Sequence, residues 1–248
     1  MKSTFKHLDT TNCTLKNTHI DIWQFPLHKN FAGLTALLNK DELIRANRFH
    51  FTHHQRRFTV ARAMLRVILA RYLNISPLAL EFTYNQQGKP SLLNDPSLQF
   101  NLSHSGELAL LGVGKDHPLG IDLEFFSARP YEGIGKNLFS ALENESLNRL
   151  NNTLKPLAFF HIWTQKEALI KACGLGLSYP TQQVDVPILP SPQHEIFDSL
   201  HKKNWKMTSF MPEAACSGAL CYHVLVDSIA FLKLSNQHYA TLIHDIIS

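Results

Sequence analysis

Cysteine, charge and long apolar runs are all scarce in this chain of 248 residues. The four cysteines show no C-x-x-C spacing, so the sequence indicates free thiols and argues against a disulfide scaffold or a zinc site. No stretch approaches the roughly 18 consecutive apolar residues of a membrane span, and the first residues lack the apolar core of a signal peptide. We therefore predict a cytoplasmic protein with no membrane partner.

The low overall charge conceals one strongly basic segment. Charged residues make up 18% of the chain, and the formal net charge is +4. Between Lys40 and Arg71, however, eight lysines and arginines stand against two acidic residues. Such a surplus indicates an anionic ligand near this segment, with an ordinary solvated helix face as the alternative. No recognisable nucleic-acid module accompanies it, so we predict no nucleic-acid partner.

The spacing of apolar residues predicts an α+β fold. Helical spacing covers 54–73, 136–150 and 155–172, and alternation predicts strands near 20–25, 80–84, 98–102, 107–113, 120–124, 204–210, 219–226 and 229–234. A helix followed by strands therefore occurs twice, which predicts a duplication with halves 1–119 and 120–248. The halves share no evident sequence identity.

Two carboxylates stand on one face of a predicted strand. Asp122 and Glu124 lie two residues apart, between apolar neighbours that fill the opposite face. Two like charges on one strand face repel unless a cation lies between them. The pattern therefore favours a divalent-metal site, with a pair of solvent-facing acids as the alternative.

A predicted helix adds a third carboxylate and an ammonium group. Trp163, Glu167 and Lys171 follow one another at intervals of four residues and so share one helix face. An exposed Glu-Lys pair is the plainer interpretation, but the tryptophan on the same face favours a half-buried site. Three carboxylates beside a lysine suit a hard cation holding a phosphate ester.

The segment Phe100–Gly106 contains adjacent serine and histidine residues, Ser103 and His104. Neighbouring side chains of a strand point to opposite faces, and no Gly-x-Ser-x-Gly motif is present, so a hydrolase triad is disfavoured. Upstream, Gly88-Lys89-Pro90 predicts a tight turn.

Taken in their order along the chain, these segments resemble the 4′-phosphopantetheinyl transferases of the surfactin-synthetase-activating (Sfp) type. The resemblance covers about residues 40–185. The resemblance implies two similar α+β halves with the active site in the cleft between them. It also implies that Asp122, Glu124 and Glu167 bind Mg²⁺, and that Glu167 and Lys171 are catalytic. Glu167 is assigned both metal binding and proton abstraction in this family, and the sequence does not separate the two roles.

The resemblance further implies a set of residues that bind coenzyme A (CoA). They are Arg45, Arg57, Arg62, Lys89, Ser103, His104, Lys166 and Lys171. Among the arginines, Arg45 and Arg57 fall closest to the positions that hold the CoA 3′-phosphate in the family.

The implied function is transfer of the 4′-phosphopantetheine group from CoA to a serine of an acyl or peptidyl carrier protein. The products are holo-carrier protein and adenosine 3′,5′-bisphosphate. Two alternatives remain at this point: another Mg²⁺-dependent phosphotransferase or pyrophosphate-cleaving enzyme, and a CoA-binding module without turnover. We also expect the protein to be a monomer.

Overall fold

Two β-sheets, each packed against one long helix, make up most of the molecule. The computed structural model describes residues 6–7, 13–28, 33–127, 132–189, 191 and 193–234. The strands are β1 (Lys6–His7), β2 (His19–Pro26), β3 (Phe82–Tyr84), β4 (Pro90–Leu92), β5 (Leu98–Ser105), β6 (Leu108–Lys115), β7 (Leu119–Phe125), β8 (His194–Asp198), β9 (Lys203–Phe210), β10 (Cys216–His223) and β11 (Ser228–Lys233). The helices are α1 (Lys40–Asn47), α2 (Thr52–Leu73), α3 (Glu132–Leu138), α4 (Ala141–Arg149) and α5 (Lys155–Cys173).

These elements agree with the α+β prediction. The predicted helix 136–150 is split into α3 and α4, because Ser140 begins a new helix with a capping box to Glu143. The sequence analysis missed α1, which Asn39 and Glu42 cap in the same way, and the strand β8. Among the described residues, no helix has the length and apolar character to cross a membrane.

The first sheet has the strand order β1-β11-β2-β6-β5 and packs against α2. The buried residues of α2 lie between Val60 and Ala70, and the helix ends at Asn74, whose φ of 53° is left-handed. Asparagine tolerates that conformation better than most residues, so it forms a natural C-cap. The core between α2 and the sheet contains residues such as Phe25, Met64, Leu69 and Leu111.

The second sheet has the strand order β7-β10-β9-β8 and packs against α5. Pro156 stands in the first turn of α5, where its missing N–H costs nothing, and Gly174 with φ 70° ends the helix. At Gly120 of β7 the helix and strand backbones are in direct contact. A Cβ atom there would lie 2.2 Å from the carbonyl oxygen of Ala168 and 2.3 Å from the nitrogen of Ala172.

The two halves repeat one topology. In the first half, a strand, a long helix and two further strands follow one another as β2, α2, β5 and β6, and the strands lie in the order β2-β6-β5. In the second half the same succession is β7, α5, β9 and β10, with the strand order β7-β10-β9. Neighbouring strands of both sets are antiparallel. A common origin of the halves stays a prediction. β7 begins at the predicted boundary, but β11 crosses back and pairs in parallel with β2, so the halves are not separate along the chain.

The halves meet where β5 faces β7, each an edge strand of its own sheet. Edge strands leave backbone N–H groups unpaired, and polar side chains of β5 satisfy them here. The side-chain oxygen of Asn101 accepts from the backbone nitrogen of Ile121 at 2.8 Å, and Ser105 Oγ accepts from that of Phe125 at 3.2 Å. Alternate residues of β5 are therefore directed at β7, and Ser103 lies between them.

Candidate active site

A groove follows the junction between the two halves. It consists of two adjoining cavities of about 440 and 250 Å³, which share the lining residues Gly88, Pro90, Asn101 and Leu102. The larger cavity is lined by Arg45, Arg62 and His104, and the smaller one by Lys171. The groove thus connects the basic segment of the first half with the catalytic helix predicted for the second.

Asp122 is bonded to Lys171, which lines the smaller cavity, and is 4% exposed. Its Oδ1 accepts hydrogen bonds from Ser103 Oγ at 2.8 Å and from Lys171 Nζ at 2.5 Å. Its Oδ2 is buried and has no hydrogen-bond partner among the described residues. A buried carboxylate oxygen without a donor is unfavourable, so this atom is available for a cation.

The other two predicted carboxylates lie close to Asp122. Glu124 accepts a 2.6 Å hydrogen bond from Ser105 Oγ, two residues further along both strands than the Ser103–Asp122 bond. Burial raises the pKa of Glu167, and the negative charges of Asp122 and Glu124 raise it further, whereas Lys171 opposes them. The structure therefore brings Asp122, Glu124 and Glu167 near enough to repel one another.

The donor set fits Mg²⁺. Three carboxylates with one buried, unpartnered oxygen offer hard oxygen ligands, and their mutual repulsion falls when a divalent cation is bound. The carboxylates do not form a cluster with ligand atoms all within 4.8 Å of one another, as one other trio of described residues does. Oxygens bound to one Mg²⁺ at about 2.1 Å lie at most about 4.2 Å apart, so at least one carboxylate would have to move closer or bind through water when the ion is bound.

Lys171 lies between the carboxylates and the groove. Besides Asp122, its ammonium donates to Ser103 Oγ at 2.9 Å, and the side chain is 27% exposed. Since it lines the smaller cavity, it can contact an anion bound there without losing Asp122. The four-residue spacing of Glu167 and Lys171 predicted this shared face, and the structure places both beside Asp122.

Comparison with known proteins identifies the family. A model described as the 4′-phosphopantetheinyl transferase superfamily matches residues 118–217, and one described as the N-terminal part of 4′-phosphopantetheinyl transferases matches residues 21–115. The chain is 36% identical over 218 residues to the 4′-phosphopantetheinyl transferase HetI of Nostoc sp., which covers 84% of this chain and 90% of the relative. The chain belongs to the 4′-phosphopantetheinyl transferase superfamily.

Bacterial relatives with lower coverage carry the same description. The 4′-phosphopantetheinyl transferase psf-1 of Bacillus pumilus is 33% identical over 152 residues, covering 61% of this chain and 64% of its own. The 4′-phosphopantetheinyl transferase Sfp of Bacillus subtilis is 27% identical over 151 residues, covering 61% and 66%. The resemblance inferred from the three sequence segments is confirmed.

Ser103 and His104 of this transferase point in different directions, as strand neighbours do. Ser103 is buried and bonded to Asp122 and Lys171. His104 is exposed to the larger cavity. Partial desolvation, together with the positive charges of Lys171 and Arg57, lowers its pKa and favours the neutral imidazole.

The three arginines predicted to bind CoA differ in what they contact. Arg57 donates to a Glu107 carboxylate oxygen at 2.9 and 2.7 Å. Arg62 is paired with Glu42 and donates to the Tyr84 hydroxyl at 2.7 Å. Arg45 is exposed, lies over the Phe58 ring at 5.2 Å, and has no carboxylate partner among the described residues. Of the three, Arg45 is therefore the one whose charge is available to a ligand.

The side chain of Lys89 lines the smaller cavity, but its ammonium group is bonded to the protein itself. Its ammonium donates to the carbonyl oxygens of Leu119, Lys171 and Ala172, at 3.1, 2.6 and 3.2 Å. Burial lowers the pKa of Lys89 to about 8. It thereby joins the Gly88-Lys89-Pro90 turn of the first half to the end of α5, and its expected contact with the nucleotide stays a prediction. Asn85 supports the same junction with a 2.8 Å hydrogen bond to the Gly174 carbonyl.

Lys166 lies in the interior, away from the groove, and is 1% exposed. Its ammonium forms an ion pair with Glu143 at 2.9 Å and donates to the carbonyl oxygens of Thr181, at 2.8 Å, and Val184. These three partners use all three N–H donors of a lysine. We therefore revise the expected phosphate contact of Lys166 and assign it a structural role.

Several residues that build the site were missed by sequence analysis. Asn101 and Ser105 accept from backbone nitrogens of β7, Ser105 also binds Glu124, and Gly120 lets α5 approach that strand. The signal for the first two was present, because they flank Ser103 at intervals of two and so share its strand face. Nothing in the local sequence marks Gly120 as a contact point between helix and strand backbones.

Proposed function

We propose that this transferase moves the 4′-phosphopantetheine group of CoA to a serine hydroxyl of an acyl or peptidyl carrier protein. The observation that carries the proposal is the groove, which runs from the available charge of Arg45 to Lys171. The three carboxylates surround Lys171 on its protein side. CoA carries its 3′-phosphate on the nucleotide and its pyrophosphate beside the pantetheine arm. Cationic groups at both ends of one groove suit such a molecule.

In the proposed reaction the serine oxygen forms a bond to the phosphorus next to the pantetheine arm. The bond from that phosphorus to the bridging oxygen breaks, and adenosine 3′,5′-bisphosphate leaves with the electron pair. Asp122, Glu124 and Glu167 would hold Mg²⁺. When bound, the ion neutralises pyrophosphate charge and the charge that develops during transfer.

Glu167 accepts the serine proton, directly or through a water molecule. A carboxylate whose pKa is raised is a stronger base than an ordinary glutamate, and burial beside two other carboxylates supplies that shift. Because Glu167 also belongs to the proposed metal set, a Glu167→Gln variant tests both roles: loss of metal affinity identifies a ligand, and loss of turnover at unchanged metal affinity identifies the base.

Lys171 stabilises the leaving bisphosphate. Its ammonium is held by Asp122 and Ser103 yet remains partly exposed to the groove, so little reorganisation is required when charge develops on the bridging oxygen. Neutral His104 donates from the larger cavity to a phosphate oxygen.

The direct test is incubation of the protein with CoA, Mg²⁺ and an apo-carrier protein, followed by intact-mass spectrometry of the carrier. We expect one phosphopantetheine increment, with the rate lowered at least about 100-fold by Asp122→Ala or by Glu124→Ala. Glu145→Ala serves as control, since Glu145 is an exposed helix carboxylate paired with Arg149.

Each alternative outcome has a distinct signature. CoA cleavage without carrier modification would identify a pyrophosphate-cleaving enzyme, and CoA binding without turnover would identify a binding module. Near-normal activity of both carboxylate variants in metal-free buffer would contradict the metal site. We further propose a monomer in the cytoplasm, which light scattering and fractionation test.

A further inference from the structure

A cysteine, an aspartate and a histidine converge at the C-terminal end of α5. Cys173 ends α5, Asp198 ends β8, and His201 lies in the turn that leads to β9. One ligand-type atom from each lies within 4.8 Å of the other two. Among the described residues, this is the one such cluster of cysteine, histidine and carboxylate groups.

One carboxylate oxygen joins the three side chains. Asp198 Oδ2 lies 2.7 Å from His201 Nδ1 and 3.8 Å from Cys173 Sγ, with a proton in each contact. A tetrahedral ion with bonds of about 2.0–2.3 Å holds its ligand atoms roughly 3.3–3.5 Å apart. The Cys173–Asp198 separation is close to that value, and the His201 ring needs to withdraw by roughly half an ångström to reach it.

Local structure fixes the carboxylate and leaves the imidazole accessible. Asp198 is 0% exposed, and its Oδ1 accepts from the backbone nitrogens of Leu200 and His201 at 3.1 and 3.2 Å. The side chain of His201 is 37% exposed, which provides a path for an ion. The Tyr179 ring stacks on it, with centroids 5.9 Å apart, and limits its orientation.

Charge and ligand type distinguish this cluster from the carboxylates of the groove. A thiolate and a carboxylate balance a divalent ion, so the bound cluster is neutral in its half-buried surroundings. Sulfur and nitrogen ligands suit Zn²⁺ and similar borderline ions, whereas Mg²⁺ prefers oxygen. Burial and the charge of Asp198 raise the pKa of the Cys173 thiol to about 12, and the ammonium groups of Lys89 and Lys203 oppose that shift in part. The thiol proton is therefore displaced by the cation when it binds.

We propose that Cys173, Asp198 and His201 bind one Zn²⁺-type ion, with a fourth position open to water. The bound ion ties the last turn of α5 to the turn between β8 and β9. The site is independent of the CoA groove and of the proposed transfer reaction. No spacing in the sequence announced it, because Cys173 lies far from the other two ligands along the chain.

Cobalt substitution tests the site, because Co²⁺ bound by a thiolate absorbs through sulfur-to-metal charge transfer. Metal-stripped protein is titrated with Co²⁺, then with Zn²⁺ and, separately, with Mg²⁺. We expect one thiolate-bound Co²⁺ per chain, with a thiolate band and tetrahedral d–d bands that Zn²⁺ displaces and that excess Mg²⁺ leaves unchanged. Absence of the thiolate band would overturn the proposal.

Variants assign the ligands. Cys173→Ser should abolish the thiolate band, and His201→Gln should lower Co²⁺ affinity by more than the roughly 10–100-fold that loss of an outer-shell partner costs. Cys13→Ser and Glu124→Ala are matched controls, a second half-buried thiol and a groove carboxylate, and both should keep the band. A band that survives Cys173→Ser, or that Glu124→Ala abolishes, contradicts the assignment. His201→Gln changes a partly exposed side chain and tests the site even if the cysteine variant is unstable.

Discussion

Helix α5 presents two polar faces that differ in their surroundings. On the buried face, Lys166 is enclosed by Glu143 and two carbonyl oxygens and is 1% exposed. On the groove face, Lys171 is bonded to Asp122 and Ser103 but remains partly exposed, and Glu167 lies beside the same carboxylates. Both lysines form an ion pair with a buried carboxylate. Only in the Lys171–Asp122 pair is the ammonium group partly exposed to the groove and one carboxylate oxygen without a hydrogen-bond partner among the described residues.

The comparison shows what separates a structural ion pair from a reactive one. Glu143 accepts from Lys166 and from the backbone nitrogens of Ser140 and Val186, so every charged group there has partners within the protein. At the groove, Asp122 Oδ2 lacks a donor and three carboxylates repel one another. The first arrangement is satisfied by folding, whereas the second is completed by ligands.

Removing the buried lysine should have the largest effect on stability. Lys166→Met leaves Glu143 buried without its counter-ion, which typically costs about 3–5 kcal/mol in free energy of unfolding. Urea denaturation measures it. The double variant Lys166→Met/Glu143→Gln should recover part of the loss, because it removes the unpaired charge. If Lys166→Met were as stable as the wild type, Lys166 would not have the structural role assigned to it.

A buried histidine elsewhere on α5, His161, should make stability sensitive to acid. Burial lowers the pKa of His161 to about 4, below its ordinary value of 6.5. Because the pKa is lower in the folded state, the unfolded chain takes up the proton at a higher pH than the folded protein does. The free energy of unfolding is therefore constant above pH 6.5, as far as this group is concerned, and falls as the pH is lowered from 6.5 towards 4. The loss reaches about 3 kcal/mol when both states are protonated.

The measurement is urea denaturation of wild type and His161→Gln at pH 7 and at several points down to pH 4. The variant should lose less stability than wild type across that interval, whatever its stability at pH 7. Parallel losses in the two proteins would show that other groups cause the acid sensitivity.

On the groove face, Lys171→Ala should reduce turnover, with little change in stability when Mg²⁺ is present to replace the lost counter-ion of buried Asp122. If the ammonium acts on the leaving group, kcat falls by about 100-fold and the KM for CoA changes much less. Steady-state kinetics with an apo-carrier protein, alongside a thermal melt in Mg²⁺, separate the two quantities. A change confined to KM would make Lys171 a ground-state phosphate contact.

The smallest effect is expected at the far end of the groove. Arg45→Ala should raise the KM for CoA by about tenfold while leaving kcat nearly unchanged, since a charge-assisted hydrogen bond contributes roughly 1.5–3 kcal/mol and less when exposed. Dephospho-CoA lacks the 3′-phosphate, so its KM should exceed that of CoA in the wild type. The two KM values should be nearly equal in Arg45→Ala. Arg57→Ala is the control, because Arg57 is already paired with Glu107. Equal discrimination by wild type and Arg45→Ala would assign the phosphate to another residue.

Local periodicity by itself determined much of this protein. Alternation placed Asp122 and Glu124 on one strand face, and four-residue spacing placed Glu167 and Lys171 on one helix face. Helical geometry also separates Lys166 from Lys171 by about 140° around the axis, although it does not say which face is buried. These relations act within one element, so a sequence pattern is enough to establish them.

Contacts between distant segments were decided only by the tertiary structure. The ammonium of Lys89 binds the end of α5, Asn101 binds β7, and β11 returns to the first sheet. Such contacts depend on how two sheets and two helices pack, and the backbone approach at Gly120 sets the distance between α5 and β7. The sequence specifies which side chains are available for chemistry, and packing decides whether each lysine or arginine is already paired or remains available to a ligand.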